Sequence, residues 1–397
     1  MPLSLPRRSG SFAFFNSTLL WSLYCRILRI LALSLLLGSV VAPAATGLGD
    51  WPMFRHEPAL LGIGTGELQE NLKPVWNFKA GGAIRSSPAI SDGKVFVGAN
   101  DGMVYCVGFA GGKQVWSFKT GGPVESSPLI LDGKVFVGSS DAYLYALEAT
   151  SGKLLWKYQT SDKILGGPNW VKLNQKNCVL VGSYDYKLHC VDAVTGKALW
   201  TYETGNYING APAVAEGKAV FGGCDGLLHV VSLADGKQEK EIDAGAYVAG
   251  SVALGGGRAY LGQFENEFLC IDLKEGKKIW SFQDRNFPYF SSPALTKDKV
   301  IFGGRDKLLH CLDRDTGKPL WAFPTRGKVD SSPAICGDKV VVGSDDGTVY
   351  MVSLNKGAIL WSYEIGRAVG SSPAIADGKV VVGADDGVLY CFGLNGK

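Results

Sequence analysis

Residues 86–119 read SSPAISDGKVFVGANDGMVYCVGFAGGKQVWSFK, and the punctuation of this stretch decides the fold. Four short runs rich in β-formers (residues 86–90, 94–98, 103–107 and 114–119) are separated by Asp92-Gly93, Asp101-Gly102 and Gly111-Gly112. These dipeptides supply the positive φ that tight hairpins need, so the stretch predicts four antiparallel strands. No apolar rhythm at helical spacing appears outside the N-terminal region.

The stretch repeats. With its proline as marker, copies fall at Pro88, Pro128, Pro168, Pro212, Val252, Pro293, Pro333 and Pro373, at steps of 40, 40, 44, 40, 41, 40 and 40. A parallel series of tryptophans runs Trp76, Trp116, Trp156, Trp200, Trp280, Trp321 and Trp361, with Lys240 on the missing beat. A four-stranded unit of this length cannot bury both its faces alone, so the units must stack around a ring. The expected fold is all-β: an eight-bladed propeller of four-stranded antiparallel blades over residues 75–397. The last copy ends on its third strand, while residues 75–79 (VWNFK) supply a spare fourth strand before the first copy. The N-terminal strand is therefore expected to complete the last blade and leave no open sheet edge.

The strings LEATSGKLLW (147–156), VDAVTGKALW (191–200), IDLKEGKKIW (271–280) and LDRDTGKPLW (312–321) resemble the docking motif of PQQ-like β-propeller repeats. Quinoprotein dehydrogenases and the outer-membrane assembly factor of the Bam complex carry such repeats. DWPMFRHEPALLGIG (50–64) is similar to the lead-in of exported bacterial members. The resemblance implies that the seven tryptophans are structural, packed flat between neighbouring blades. It also implies what a quinoprotein enzyme would need: vicinal cysteines, and calcium ligands beside a catalytic aspartate. Neither is present in this sequence, so no cofactor and no catalysis are expected.

Residues 1–45 hold Arg7, Arg8, Arg26 and Arg29 without an acid, an apolar stretch over residues 30–41, and Ala42-Pro43-Ala44. That order reads as a signal peptide, followed by a lead-in at 46–74. An uncleaved anchor starting near Leu19 is the alternative, and Arg26 and Arg29 argue against it. An exported chain, periplasmic or extracellular and monomeric, is expected. Loss of the four arginines takes the formal charge from +3 to about −1, which offers nucleic acid no electrostatic footprint. No later stretch is long and apolar enough for a membrane-spanning helix.

Cys106, Cys190, Cys270, Cys311 and Cys391 occupy one repeat position, and His189, His229 and His310 the position before it. Equivalent residues of different blades lie far apart, and strand neighbours point to opposite faces, so neither disulfides nor a His-Cys metal site is expected. Asp345-Asp346-Gly347 and Asp385-Asp386-Gly387 read as turns, without the spaced acids of a calcium loop. Cys178, Cys224 and Cys336 show no partner in the sequence.

Function is sought where the copies differ. Three residues before the marker come Arg85, Glu125, Leu165, Asn209, Ala249, Phe290, Asp330 and Gly370; five before come Ala83, Pro123, Lys163, Tyr207, Tyr247, Pro288, Lys328 and Ala368. The period of two puts both sets around one mouth of the central channel. The candidate binding face is Arg85, Glu125, Lys163, Tyr207, Asn209, Tyr247, Tyr289, Phe290, Lys328 and Asp330. The expected function is an exported, non-catalytic scaffold that binds another envelope protein, with outer-membrane protein assembly as the role the resemblance suggests. A PQQ-dependent dehydrogenase and a small-molecule sensor ring are the alternatives. The seam after Lys240, between blades 4 and 5, is expected to be the weakest.

Overall fold

The computed structural model describes residues 49–394; the expected signal peptide at 1–45 lies outside the described residues. Eight antiparallel sheets follow one another around an axis, each running from a short inner strand to an outer one. Blade 1 is Ala89–Ser91, Lys94–Gly98, Met103–Gly108 and Gln114–Lys119. The other blades repeat this order, and among the described residues there is no helix. The inner strands begin after the marker proline, later than the sequence pattern suggests. Pro88 has no N–H for the ladder, and Ser86 and Ser87 bond around the ring instead.

Blade 8 contains Ala374–Ala376, Lys379–Gly383 and Val388–Gly393, and its fourth strand is Lys73–Lys79. Trp76 stands opposite Cys391, Asn77 opposite Tyr390 and Lys79 opposite Val388. The N-terminal strand thus closes the ring. Each second and third strand is apolar on both sides because each blade is covered by a neighbour on both faces. Val95, Phe96 and Val97 are all buried, and the core is a series of layers between blades.

Three devices tie the blades together. In the first, seven indole N–H groups reach a carbonyl in the next blade, as from Trp76 to Phe109 (2.8 Å), Trp116 to Ala149 (3.0 Å) and Trp321 to Leu354 (2.9 Å). Trp156, Trp200 and Trp280 do the same to Ala193, Leu233 and Arg314, and Trp361 to Leu72. A glycine at positive φ lies beneath most of these rings. A Cβ on Gly112 would stand 2.6 Å from Trp76, and one on Gly152 the same distance from Trp116. Each such glycine thus seats the tryptophan of the preceding repeat, so the motif of one blade receives the indole of the blade before it.

The second device is a belt of small residues around the axis. The Ser86 hydroxyl donates to the Ser126 carbonyl, Ser126 to Gly166, Ser291 to Ser331, Ser331 to Ser371, and Ser371 back to Ser86. The third sits on the face that carries the second hairpin of each blade. There Asp101 accepts from the Gly81 N–H of the preceding blade and from the Tyr105 hydroxyl. Asp141, Asp185, Asp225 and Asp346 accept in the same way from Gly121, Ser161, Gly205 and Arg326. In blades 3 and 4 the partner within the blade is His189 or His229 instead of tyrosine.

The lead-in runs around the opposite end of the channel. The carbonyls of Trp51, Pro52, Pro58, Ala59, Leu61 and Gly62 accept N–H bonds from Ile90, Ile130, Val214, Leu254, Leu295 and Ile335. Each donor is the second residue after the repeat marker, so six inner strands have a bonded edge. Ile63–Gly64 adds a parallel fifth strand to blade 7. At the centre Arg55, 1% exposed, donates to the carbonyls of Pro333 (2.5 Å) and Pro293 (2.8 Å).

Candidate functional site: the open mouth of the channel

With one end occupied by the lead-in, the other end is a cup of about 190 Å³. All eight residues three before the marker line it: Arg85, Glu125, Leu165, Asn209, Ala249, Phe290, Asp330 and Gly370. Seryl and glycyl positions of the belt form its wall, and Phe54 of the lead-in reaches it from below. The residues five before the marker stand outside this ring. Their carbonyls each accept an N–H from the residue preceding the hairpin acid (Asp, or Glu265 in blade 5) of the next blade: Asn100 to Ala83, Tyr184 to Lys163, Cys224 to Tyr207, Phe264 to Tyr247, Arg305 to Pro288. These bonds bring a further set of variable residues onto the same face.

Half of the face is aromatic. Tyr207 stacks on Tyr184 with centroids 4.5 Å apart and meets Tyr186 edge-on at 5.2 Å. Tyr247 packs beside Phe264 at 5.7 Å, and Phe264 reaches Phe290 at 5.9 Å. Exposure is high: 37% for Tyr207, 53% for Tyr247 and 47% for Phe264. Arg305 lies over the Phe290 ring at 3.9 Å, and Lys163 over Tyr184 at 4.3 Å. Asn209 donates to the Cys224 sulfur.

The other half is charged and internally paired. Arg85 makes a two-pronged contact to Asp385 (3.1 and 3.2 Å) and lies 3.9 Å from Glu125. Arg305 holds Asp330 with two bonds of 2.9 Å, while Lys328 sits between Asp330 (3.1 Å) and Asp345 (3.3 Å). The pairs are partly exposed and fix side-chain geometry more than they stabilise the fold.

One candidate does not belong to this face as an exposed group. Tyr289 is 0% exposed. It sits four residues before the marker, where Ile84, Val124 and Val329 fill the core, and the period of two turns it inward. Phe264 takes the place in the arc that Tyr289 was expected to hold. The sequence reading missed Tyr184, Tyr186, Phe264, Arg305, Asp345 and Asp385. For all of these but Tyr186 the signal was available, because the position before the hairpin acid varies from copy to copy as much as the two positions chosen.

The cysteines of the repeat position are buried, and burial pushes the Cys106, Cys311 and Cys391 thiols up to about 12 and Cys270 to about 11. Cys178 does acquire a neighbour: it faces Cys190 diagonally on the adjoining strand of blade 3, both as free thiols. Burial alone would raise the Asp185, Asp225 and Asp346 carboxylates. Hydrogen bonds from His189, His229, Tyr350 and the main chain outweigh it and hold all three below the ordinary aspartate value.

The sequence profile of the family described as "Outer membrane protein assembly factor BamB" matches residues 69–169, 163–283 and 305–397. Compared with curated protein sequences, the chain has no match. Among solved structures it is similar to BamB from Moraxella catarrhalis, with 18% identity over 82% of this chain and 98% of that one and a TM-score of 0.68. The quinohemoprotein alcohol dehydrogenase from Comamonas testosteroni aligns at 15% identity over 90% of this chain and 82% of that one, with a TM-score of 0.77. The computationally designed Ika8 protein aligns at 18% identity over 81% of this chain and all of that one, with a TM-score of 0.72. At such identities these structural likenesses establish the fold.

Proposed function

The chain belongs to the family of the outer membrane protein assembly factor BamB, and on that premise we propose that it is an exported, non-catalytic scaffold that docks another envelope protein on the open mouth of its ring, in the service of outer-membrane protein assembly. The observation that carries this reading is the exposed arc of Tyr186, Tyr207, Tyr247 and Phe264, with half-buried Tyr184 stacked on Tyr207, beside a prepaired charged half. Rigid aromatic side chains bury large areas at low entropic cost, and a polar rim around them sets orientation. The strands beneath hold the arc in place, so a partner meets a preformed surface.

The structural likeness to quinohemoprotein alcohol dehydrogenase raises the question of a quinone cofactor. At about 190 Å³ the cup falls short of the roughly 300 Å³ at which small-molecule sites begin, and belt residues and Phe54 fill the space below it. These residues do not fit a fused-ring cofactor, and no catalytic step is drawn through one.

The test uses the purified protein as bait against envelope extracts, with bound proteins quantified by mass spectrometry. Tyr207→Ala combined with Tyr247→Ala is expected to lower recovery of the partner by roughly tenfold or more, as for hot-spot residues, with the melting temperature unchanged. The hairpin at residues 169–177, on the opposite face, is the control. If Trp170→Ala with Lys172→Ala abolishes capture while the tyrosine pair has no effect, the mouth is the wrong face. Turnover of alcohols or sugars with added PQQ and Ca²⁺ in a dye-reduction assay would overturn the non-catalytic reading.

A further inference from the structure

The junction between blades 5 and 6 combines four features that no other junction brings together. Thr120, Thr160, Thr204 and Thr325 close their crossovers by donating to main-chain carbonyls, as Thr120 does to Gly102 and Gly122. Asp284 stands at that position here and cannot donate. Phe282 stands where Tyr158 and Tyr202 bond to the Nδ1 of His189 and His229, so His310 meets a ring without a hydroxyl. Tyr289 replaces the Val or Ile of the core position, and the crossover carries one extra residue.

These departures gather ligating atoms. Asp284, Asp306 and His310 each offer one ligand atom, and all three atoms lie within 4.8 Å of one another, the one such group among the described residues. Asp306 and His310 are buried, 3% and 2% exposed. Asp306 uses one oxygen for the Leu308 N–H (3.1 Å) and turns the other to His310 Nε2 at 2.7 Å. The first bond fixes the carboxylate for a single-oxygen contact, as an outer-shell partner does in a metal site. Unlike Asp101, Asp141, Asp185, Asp225 and Asp346, it accepts no N–H from the preceding blade. A second carboxylate, Asp284, comes from that blade instead.

An independent observation points into the same spot. The Tyr289 hydroxyl is fully buried and has no hydrogen-bond partner. Its ring stands perpendicular to that of His310 at 5.7 Å. A Cβ on Gly304 would touch both Asp306 Oδ1 (2.3 Å) and the Tyr289 ring edge (3.1 Å), which places the phenol against the carboxylate. An orphaned buried hydroxyl costs about 1–3 kcal/mol, and two carboxylates sharing a site repel each other. Both costs vanish if a cation sits between them.

We propose that Asp284, Asp306 and His310 bind a divalent first-row transition ion, Zn²⁺ by preference, with the Tyr289 hydroxyl as fourth ligand or as partner of a bound water. One imidazole and two carboxylates suit Zn²⁺ or Mn²⁺, and intrinsic affinity favours zinc. The ion's role is to join blade 5 to blade 6 where the main-chain latch is missing. The site is silent in the sequence, because the third ligand lies on the preceding blade and each histidine looks like one copy of a repeated core position. This site lies outside the channel and does not depend on the docking proposal.

The test is calorimetric titration of Zn²⁺ and of Mn²⁺ into chelator-treated protein, with thermal unfolding of each form. One equivalent of Zn²⁺ is expected, bound more tightly than Mn²⁺ and raising the melting temperature. Asp284→Asn, at an exposed position, should leave the unfolding of the metal-free protein unchanged and weaken zinc binding by about 10- to 100-fold or more. Tyr289→Phe should leave the metal-free fold as stable or more stable and also weaken zinc. The Co²⁺ form should show ligand-field bands without thiolate charge transfer. Absence of a saturable equivalent, unchanged affinity in Asp284→Asn, or a thiolate band assigning the ion to cysteine would each overturn the proposal.

Discussion

Lys240→Trp should stabilise the ring, and the structure lets the gain be worked out. At the other outer strands an indole covers the seam to the next blade; after blade 4 a lysine does so, its Nζ bonded to the Lys274 carbonyl. The receiving side is intact. Gly276 keeps φ at +69°, yet its Cβ position meets nothing closer than 3.7 Å, against 2.6 Å to the indole at Gly236 or Gly317. What remains is a groove of about 360 Å³ lined in part by Ala215, Leu254 and Leu273. A tryptophan buries about 150–250 Å², a gross gain of about 4–6 kcal/mol at about 25 cal/mol per Å². The lysine stem already covers part of that area, and a compact denatured state removes a further 10–40% or so. Exchange of the ammonium bond for an indole N–H bond is nearly neutral. A net gain of about 2–3 kcal/mol remains. With about 2.1 cal/mol/K of unfolding entropy per residue, a ring over residues 73–394 rises by roughly 1.5 °C per kcal/mol, or about 3–5 °C. Calorimetry of Lys240→Trp beside Trp200→Lys provides the measurement. The second variant, at the preceding seam, should cost about 3–5 kcal/mol. If Trp200→Lys costs that much while Lys240→Trp leaves the transition unmoved or lowers it, the groove is not an unfilled indole seat.

Deletion of residues 73–79 removes the outer strand of blade 8 and exposes the edge of Val388–Gly393; lower thermal stability and faster aggregation in light scattering are expected, and unchanged behaviour would mean that the ring closes otherwise. Asp185, Asp225 and Asp346 have folded-state values below the ordinary 3.8, so each contributes stability that is present above that pH and lost as pH falls through the folded value. Denaturant midpoints should accordingly drop below about pH 4, and Asp185→Asn with Asp346→Asn should flatten the drop. Arg55→Ala strips the Pro293 and Pro333 carbonyls of their buried donor and should cost about 2–5 kcal/mol in chemical denaturation, a cost Arg55→Lys should not fully restore, since one ammonium lacks the guanidinium fork.

The repeated elements were legible because repetition averages away local ambiguity. One Asp-Gly turn is weak, but eight copies of the turn-punctuated unit, with a tryptophan in phase at seven of the eight beats, define the blade, its strand order and its closure. The lead-in was not legible in that way. Residues 51–62 carry no period, and they act through main-chain carbonyls, which any residue type supplies. At the mouth, spacing from the marker located the cup lining because that distance is set by the inner strand. It misplaced Tyr289, since an aromatic residue at a core position looks in sequence like one in a surface loop. It also passed over Tyr184, Phe264 and Arg305, which lie a full hairpin away and reach the face through the bond from their own N–H to the crossover.

The lead-in and the seam at Lys240 are parts of one arrangement. Consecutive carbonyls, Pro58 and Ala59, accept from Val214 of blade 4 and Leu254 of blade 5, the two blades that Lys240 fails to join with an indole. Asn169 of blade 3 adds bonds to both the Pro58 and Pro212 carbonyls. Blade 5 also lacks the hairpin aspartate, carrying Glu265 there, and Val252 in place of the marker proline. The inner edge is therefore where blades 4 and 5 are best held. If so, losing the lead-in and filling the seam are not independent changes. Truncation to residue 63 should destabilise the natural chain more than the Lys240→Trp chain, with a coupling of about 0.5–3 kcal/mol in a double-mutant cycle, the range for elements sharing a contact. Amide exchange gives the local readout: truncation should deprotect Val214 and Leu254 ahead of Ile90, and Lys240→Trp should reverse that order. Strict additivity, with uniform deprotection around the ring, would mean that the lead-in holds all eight blades alike and has no special bearing on this seam.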